Sequence, residues 1–266
     1  YIKWDANADF MNAGSTYLGA DRQPNLWFDY TAGLYDLLGR LHAKYPDIIM
    51  KACSSGGGHM DYGFLRYSDE FWTSDNTDAR QRVFTQWGAS QFYPACAMAA
   101  HVTVVPNHQT HRSTPLKFRF DVAMSGRLGF ELHPKGMATN EIAFAKKAVA
   151  DYKRLRPVIQ QGDLYRLASP LENSYASLMY VNDAKSQAVV FLYGLERNIM
   201  SDFPAPLALQ GLDPARRYKV TELNKEKRDH SRVNGQTLGG AALMAMGVPV
   251  KLEGDYDSAV FELTAE

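Results

Sequence analysis

From Tyr1 to about Arg166 short apolar runs alternate with stretches of helical period; from Leu167 onward only short strand-like runs remain, separated by turns. Asp47–Cys53 is a strand-like run that follows a helix in which Leu34, Leu37, Leu38 and Leu41 recur at i, i+3, i+4 and i+7. That helix ends near Tyr45-Pro46, where proline stops it. A second helix is expected from about Thr77, capped by Thr77 or Asp78, with Val83, Phe84 and Trp87 turned inward. His101–Val105 and Val122–Met124 read as strands, and Thr139–Arg156 as an amphipathic helix capped by Thr139 or Asn140. Strand, loop, helix, strand is the order of a parallel α/β domain. The residues of chemical interest follow several successive strands, as on the catalytic face of a (β/α)₈ barrel. A doubly wound open sheet, the alternative, gathers its ligand at a single switch point. In the tail, the runs at 177–181, 188–193, 218–223 and 258–263 are divided by Asn182-Asp183, Asp213-Pro214 and Gly254-Asp255. The expected division is therefore 1–166 for the α/β part and 167–266 for a separate antiparallel β domain.

Composition narrows the function. Lys+Arg and Asp+Glu both number 29, giving a formal net charge of zero. A nucleic-acid binder needs a basic excess to neutralise phosphate, so that class is disfavoured. A membrane role is disfavoured likewise, because no apolar run approaches the roughly 18 residues that a spanning helix needs. Two cysteines, Cys53 and Cys96, make no disulfide framework in a chain of 266 residues. The opening YIKWD has neither an initiator methionine nor a leader pattern. It reads as a start inside an element, so cellular location is not legible here.

Three motifs could carry chemistry. In Lys3-Trp4-Asp5-Ala6-Asn7, strand alternation puts Lys3, Asp5 and Asn7 on one face. An ammonium and an amide beside a carboxylate favour its ionised form, as a nucleophile requires; a solvated acid at a strand end is the other reading. Cys53-Ser54-Ser55-Gly56-Gly57-Gly58 follows a strand directly. Its glycines either allow close backbone approach to a ligand or make a flexible turn, and it lacks the Gly-Lys-Ser/Thr and G-x-G-x-x-G patterns of phosphate loops. Trp72-Thr73-Ser74-Asp75-Asn76-Thr77-Asp78 resembles a helix N-cap, but leaves Asp75 outside the helix and close behind an indole. Such a setting suits a general acid, which must hold its proton near neutral pH. His101, His108 and His111 cluster in the sequence, but structural roles fit them better than metal ligation, which needs ligands at defined spacing from more than one element.

Taken together, YIKWDAN, CSSGGG and WTSDNTDAR resemble glycoside hydrolase family 36, the family of microbial α-galactosidases and plant raffinose-type enzymes. YPACAMAAHVTVVPNHQT, VAMSGRLGFEL, GDLYRLASP and GDYDSAVFEL look like further stretches of the same family, so the resemblance spans nearly the whole chain. It implies the second half of a (β/α)₈ catalytic barrel followed by a C-terminal antiparallel β-sandwich domain. A half barrel leaves an open sheet edge, so the segment would need the missing N-terminal half. On the matching motifs Asp5 takes the place of the nucleophile and Asp75 that of the acid/base. Lys3, Trp4, Asn7, Cys53, Gly56 and Trp72 fall in the substrate-binding set. Ala8 and His59 stand where the family commonly has arginine, which bears on leaving-group preference.

The implied reaction is retaining hydrolysis of terminal α-linked galactose from oligosaccharides of the raffinose or melibiose type, with carboxyl groups about 5–5.5 Å apart. It asks for no metal and no organic cofactor, and family members form homo-oligomers. An α-N-acetylgalactosaminidase, a galactosyl-transferring enzyme and a carbohydrate-binding protein without turnover remain as alternatives.

Overall fold

The computed structural model describes residues 1–5, 13–196, 206–226 and 228–266. They form two compact units, Tyr1–Asp75 and Asn76–Glu266.

The first unit contains β1 (Ile2–Asp5), α1 (Leu26–Lys44), β2 (Met50–Cys53), the single turn α2 (Tyr62–Leu65) and β3 (Glu70–Trp72). β1 pairs in parallel with β2, and β2 with β3. A strand–helix–strand order with parallel pairing is the unit from which β/α barrels are built. The α1 stripe points inward through Leu38, which is fully buried, whereas Leu37 is exposed. β2 is buried along its whole length, and for that reason its run Met-Lys-Ala-Cys shows no polar alternation.

In the second unit, α3 (Ala79–Ala89) leads to β4 (Met98–Thr103), then α4 (Leu116–Met124) and β5 (Arg127–Glu131), and β4 and β5 are again parallel. The expected strand at Val122–Met124 is instead the last turn of α4, and the strand falls on Arg127–Glu131. Every residue from Lys117 to Met124 is buried, so the helix exposes no polar face and its apolar run carries no period. The helix expected over Thr139–Arg156 is α5 (Thr139–Gln161), which passes through Pro157. Its N-cap position is Ala138, whose N–H donates to the Glu141 carboxylate at 2.9 Å.

The tail supplies β6 (Asp163–Ala168), β7 (Tyr175–Val181), β8 (Gln187–Gly194), β9 (Arg217–Leu223), β10 (Thr237–Gly239), the short α6 (Gly240–Ala245) and β11 (Ser258–Ala265). They form one antiparallel sheet in the order β10-β9-β11-β8-β7-β6, which begins at Asp163. One face of the sheet builds a core from Val190, Leu192, Val220 and Phe261 against Leu207, Leu212, Leu243 and Val248. The opposite face meets α4 and α5. There Tyr180 Oη donates to the Ser125 carbonyl at 2.8 Å, and Arg154 pairs with Glu262. Asp121 of α4, fully buried, pairs with Lys117 at 2.5 Å and accepts hydrogen bonds from Ser258 Oγ at 2.7 Å and Asn224 Nδ2 at 2.6 Å.

Candidate active site

Register fixes the site. Asp5 lies opposite Cys53 in the β1–β2 pair, and Lys3 opposite Lys51. In the β2–β3 pair Lys51 lies opposite Glu70, so Cys53 is aligned with Trp72. Neighbours in register share a face, and alternate residues of a strand do too. The face therefore carries two rows: Asp5, Cys53 and Trp72 at the C-terminal ends of the strands, with Lys3, Lys51 and Glu70 behind them.

In the outer row the Asp5 carboxylate accepts from Lys3 Nζ at 2.9 Å. This hydrogen bond raises the Lys3 pKa, with the negative charges of Asp5 and Asp75 adding to it, so the ammonium keeps its proton. Cys53 is buried, and burial pushes its thiol up; a hydrogen bond to Asp5 acts in the same direction, while the Gly56 backbone acts against it. The thiol thus stays neutral beside the carboxylate. Behind this row, the Lys51 ammonium sits 4.1 Å from the centre of the buried Trp72 ring, and Glu70 accepts from Tyr1 Oη at 2.6 Å.

The glycine loop is a fixed object. Gly58 N–H donates to the Ser54 carbonyl at 2.9 Å, and Ser55 and Gly56 both have positive φ, 45° and 82°. A Cβ on Gly56 would lie 2.8 Å from the backbone nitrogen of Asp75 and 2.9 Å from Ser74 Cα. The loop is thereby pressed against the backbone that bears Asp75, which is itself exposed.

Of the residues expected from sequence, Lys3, Asp5, Cys53, Gly56, Trp72 and Asp75 come together in this unit. Trp4 does not join them: strand alternation turns it to the opposite face, beside Ala52. Asn7 and Ala8 lie outside the described residues. Among the described residues no group of three His, Cys, Asp or Glu side chains is placed to hold a metal ion. Lys51 and Glu70 were missed, although each precedes a recognised site residue by two positions, the period of a strand.

Residues 1–162 match the Melibiase family and residues 175–263 the glycosyl hydrolase family 36 C-terminal domain. The chain is 38% identical to alpha-galactosidase 2 of Hypocrea jecorina over 98% of its length, and 38% identical to alpha-galactosidase AgaA of Geobacillus stearothermophilus over 100%. It covers 32% and 35% of those proteins, so it spans about a third of the curated relatives it matches. The crystal structure of GH36 alpha-galactosidase AgaB from Geobacillus stearothermophilus superposes with a TM-score of 0.91 at 37% identity, over 99% of this chain and 35% of that one. The alpha-galactosidase from Lactobacillus brevis gives 0.90 at 37% identity, over 100% and 35%. Parallel β/α units carrying acids at their strand ends, followed by an antiparallel β domain, define part of a (β/α)₈-barrel glycoside hydrolase with its C-terminal accessory domain. The chain belongs to glycoside hydrolase family 36.

Proposed function

We propose that the protein containing this chain is a retaining α-galactosidase in which Asp5 is the nucleophile and Asp75 the acid/base. The observation that carries the reading is the Asp5 carboxylate held at a strand end by the Lys3 ammonium at 2.9 Å, in one row with Cys53 and Trp72. A carboxylate paired with a cation stays ionised and available for attack.

In the first step an Asp5 oxygen forms a bond to the anomeric carbon while the glycosidic C–O bond breaks, and Asp75 gives its proton to the departing oxygen. In the second, Asp75 takes a proton from water, whose oxygen displaces Asp5 and releases galactose with its configuration retained. The proposed substrates are α-galactosides of the raffinose and melibiose type. Among the related structures, a variant of AgaA was crystallised with raffinose and another with stachyose. The remaining barrel strands, further sugar contacts and assembly into a homo-oligomer belong to the proposal for the whole protein.

The test is Asp5→Asn in the full-length protein. Turnover of raffinose is expected to fall by at least ~10³-fold, since no covalent intermediate can form. Azide added to an Asp5→Gly variant is expected to restore part of the rate by attacking the anomeric carbon in place of the missing carboxylate. Activity near that of the parent in Asp5→Asn overturns the assignment.

A further inference from the structure

The segment directly after Asp75 is held by a second loop. Thr77 accepts twice: its carbonyl from Thr103 Oγ1 at 2.9 Å and its hydroxyl from Asn107 Nδ2 at 3.0 Å. Asp78, buried, caps α3 with one carboxylate oxygen, accepting from Arg80 N–H at 2.8 Å. Its other oxygen accepts from Thr110 Oγ1 and from the Arg112 guanidinium. The donors Asn107, Thr110 and Arg112 come from one closed loop beyond β4. In that loop Asn107 N–H donates to the Arg112 carbonyl at 2.9 Å, and Asn107 Oδ1 accepts from the N–H groups of Gln109 and Thr110, each at 3.0 Å.

We infer that the Asn107–Arg112 loop is a positioning element for the acid/base, with Arg112 its principal positioning residue. Asp75 lies three residues before the carboxylate that Arg112 binds, and the intervening Thr77 is held at its carbonyl by Thr103 and at its hydroxyl by Asn107. The loop therefore sets where the chain bearing Asp75 emerges from its anchor. A general acid is sensitive to such placement: a displacement of about 1 Å can cost ~10²-fold in rate. The inference rests on the assignment of Asp75 given above.

A purely structural clamp and a positioning clamp differ in one readout. Protonation of the leaving group matters for a sugar alkoxide and hardly at all for 2,4-dinitrophenolate, which departs without a proton. The experiment compares kcat/KM on raffinose and on 2,4-dinitrophenyl α-galactoside for Arg112→Met, Arg112→Lys, Thr110→Val and Asp75→Ala in the full-length protein. General acids contribute about 10²–10⁴-fold, so Asp75→Ala is expected to lose at least ~10² on raffinose and little on the aryl galactoside. Arg112→Met is expected to lose at least ~10-fold on raffinose and under ~3-fold on the aryl galactoside, with Arg112→Lys recovering part of the loss. Should Arg112→Met fail to fold, Thr110→Val, which keeps the ion pair, decides by the same ratio. Equal losses on both substrates, or no loss, in the Arg112 and Thr110 variants overturn the positioning role while Asp75→Ala stays selective. An Asp75→Ala variant without leaving-group selectivity removes the acid/base assignment itself.

Discussion

The point at which a side chain would begin on Gly56 lies 2.8 Å from the backbone nitrogen of Asp75. Two sequence motifs separated by a helix and a strand are thus in backbone contact, and a hydrogen atom is the largest substituent the space admits.

Gly56→Ala follows from this. The residue has φ 82°, which costs an L-residue about 1–2 kcal/mol, and the added methyl has backbone in front of it rather than a movable side chain. The variant is expected to show a lowered melting temperature and a fall of at least ~10-fold in kcat/KM, because Asp75 is displaced. Scanning calorimetry and steady-state kinetics on the full-length protein check both.

Removal of the Lys3 ammonium is expected to act on the chemistry more than on the fold. Lys3 and Asp5 are both partly exposed, so their pairing adds little to stability, but it places a positive charge 2.9 Å from the proposed nucleophile. Lys3→Met is expected to lower kcat/KM by ~10–10²-fold while the melting temperature stays within a few degrees. The acid limb of its pH profile is expected at higher pH than in the parent, since the charge favouring ionised carboxylate is gone. An unmoved acid limb contradicts the pairing.

The two thiols are expected to react at different rates. Both are free; Cys53 is buried with its thiol pushed up, while Cys96 is half-buried. Thiolate is the reactive form, so iodoacetamide near neutral pH is expected to label Cys96 well before Cys53. Mass spectrometry of the digested protein gives the order, and faster labelling at Cys53 would contradict its burial.

The β domain carries a pH-dependent ion pair. His230 Nδ1 meets the Glu222 carboxylate at 2.5 Å and Nε2 meets Asp257 at 3.0 Å. Burial pulls the imidazolium down, but the hydrogen bonds to Asp257 and Glu222 outweigh it and raise the pKa to about 9. A group raised on folding stabilises fully below its unfolded pKa, about 6.5, and the contribution fades as pH rises towards 9. Asp257 is shifted the other way: burial alone would raise it, but His230 brings it down, so its contribution is lost in acid. The domain is expected to be most stable at mildly acidic pH and to lose about 2–3 kcal/mol between pH 6.5 and 9. His230→Gln is expected to flatten that slope in urea titrations of the full-length protein, and a parent protein with no slope would contradict the pairing.

The strand-borne part of the site was legible because strands advertise their faces. Lys3 and Asp5 share a side by period two, and the structure seats them there, whereas the same rule turns Trp4 away. The helix α4 was hidden for the opposite reason: buried on all sides, Val122–Met124 offers no pattern to separate helix from strand. The helix expected to end at Arg156 continues as α5 through Pro157 to Gln161, with Leu155, Val158 and Ile159 buried on either side of the proline. Packing of that face outweighs the lost hydrogen bond. The clamp of Asp78 by Arg112 joins residues 34 positions apart, and no local period reports such a pairing. Helix capping is a local event, and the sequence narrows it to Thr77 or Asp78, of which Asp78 is the cap.

Asp121 is one of the ties between the β domain and the helices. This carboxylate, wholly shielded from water, depends on Asn224 and Ser258, which reach it from sequence more than a hundred residues downstream. Severing the chain near residue 166 would remove both donors and leave the Asp121 carboxylate to its pairing with Lys117. A chimera that borrows its tail from a relative must therefore import those two donors with it, and the barrel helix and the terminal sheet are best exchanged as a single cassette.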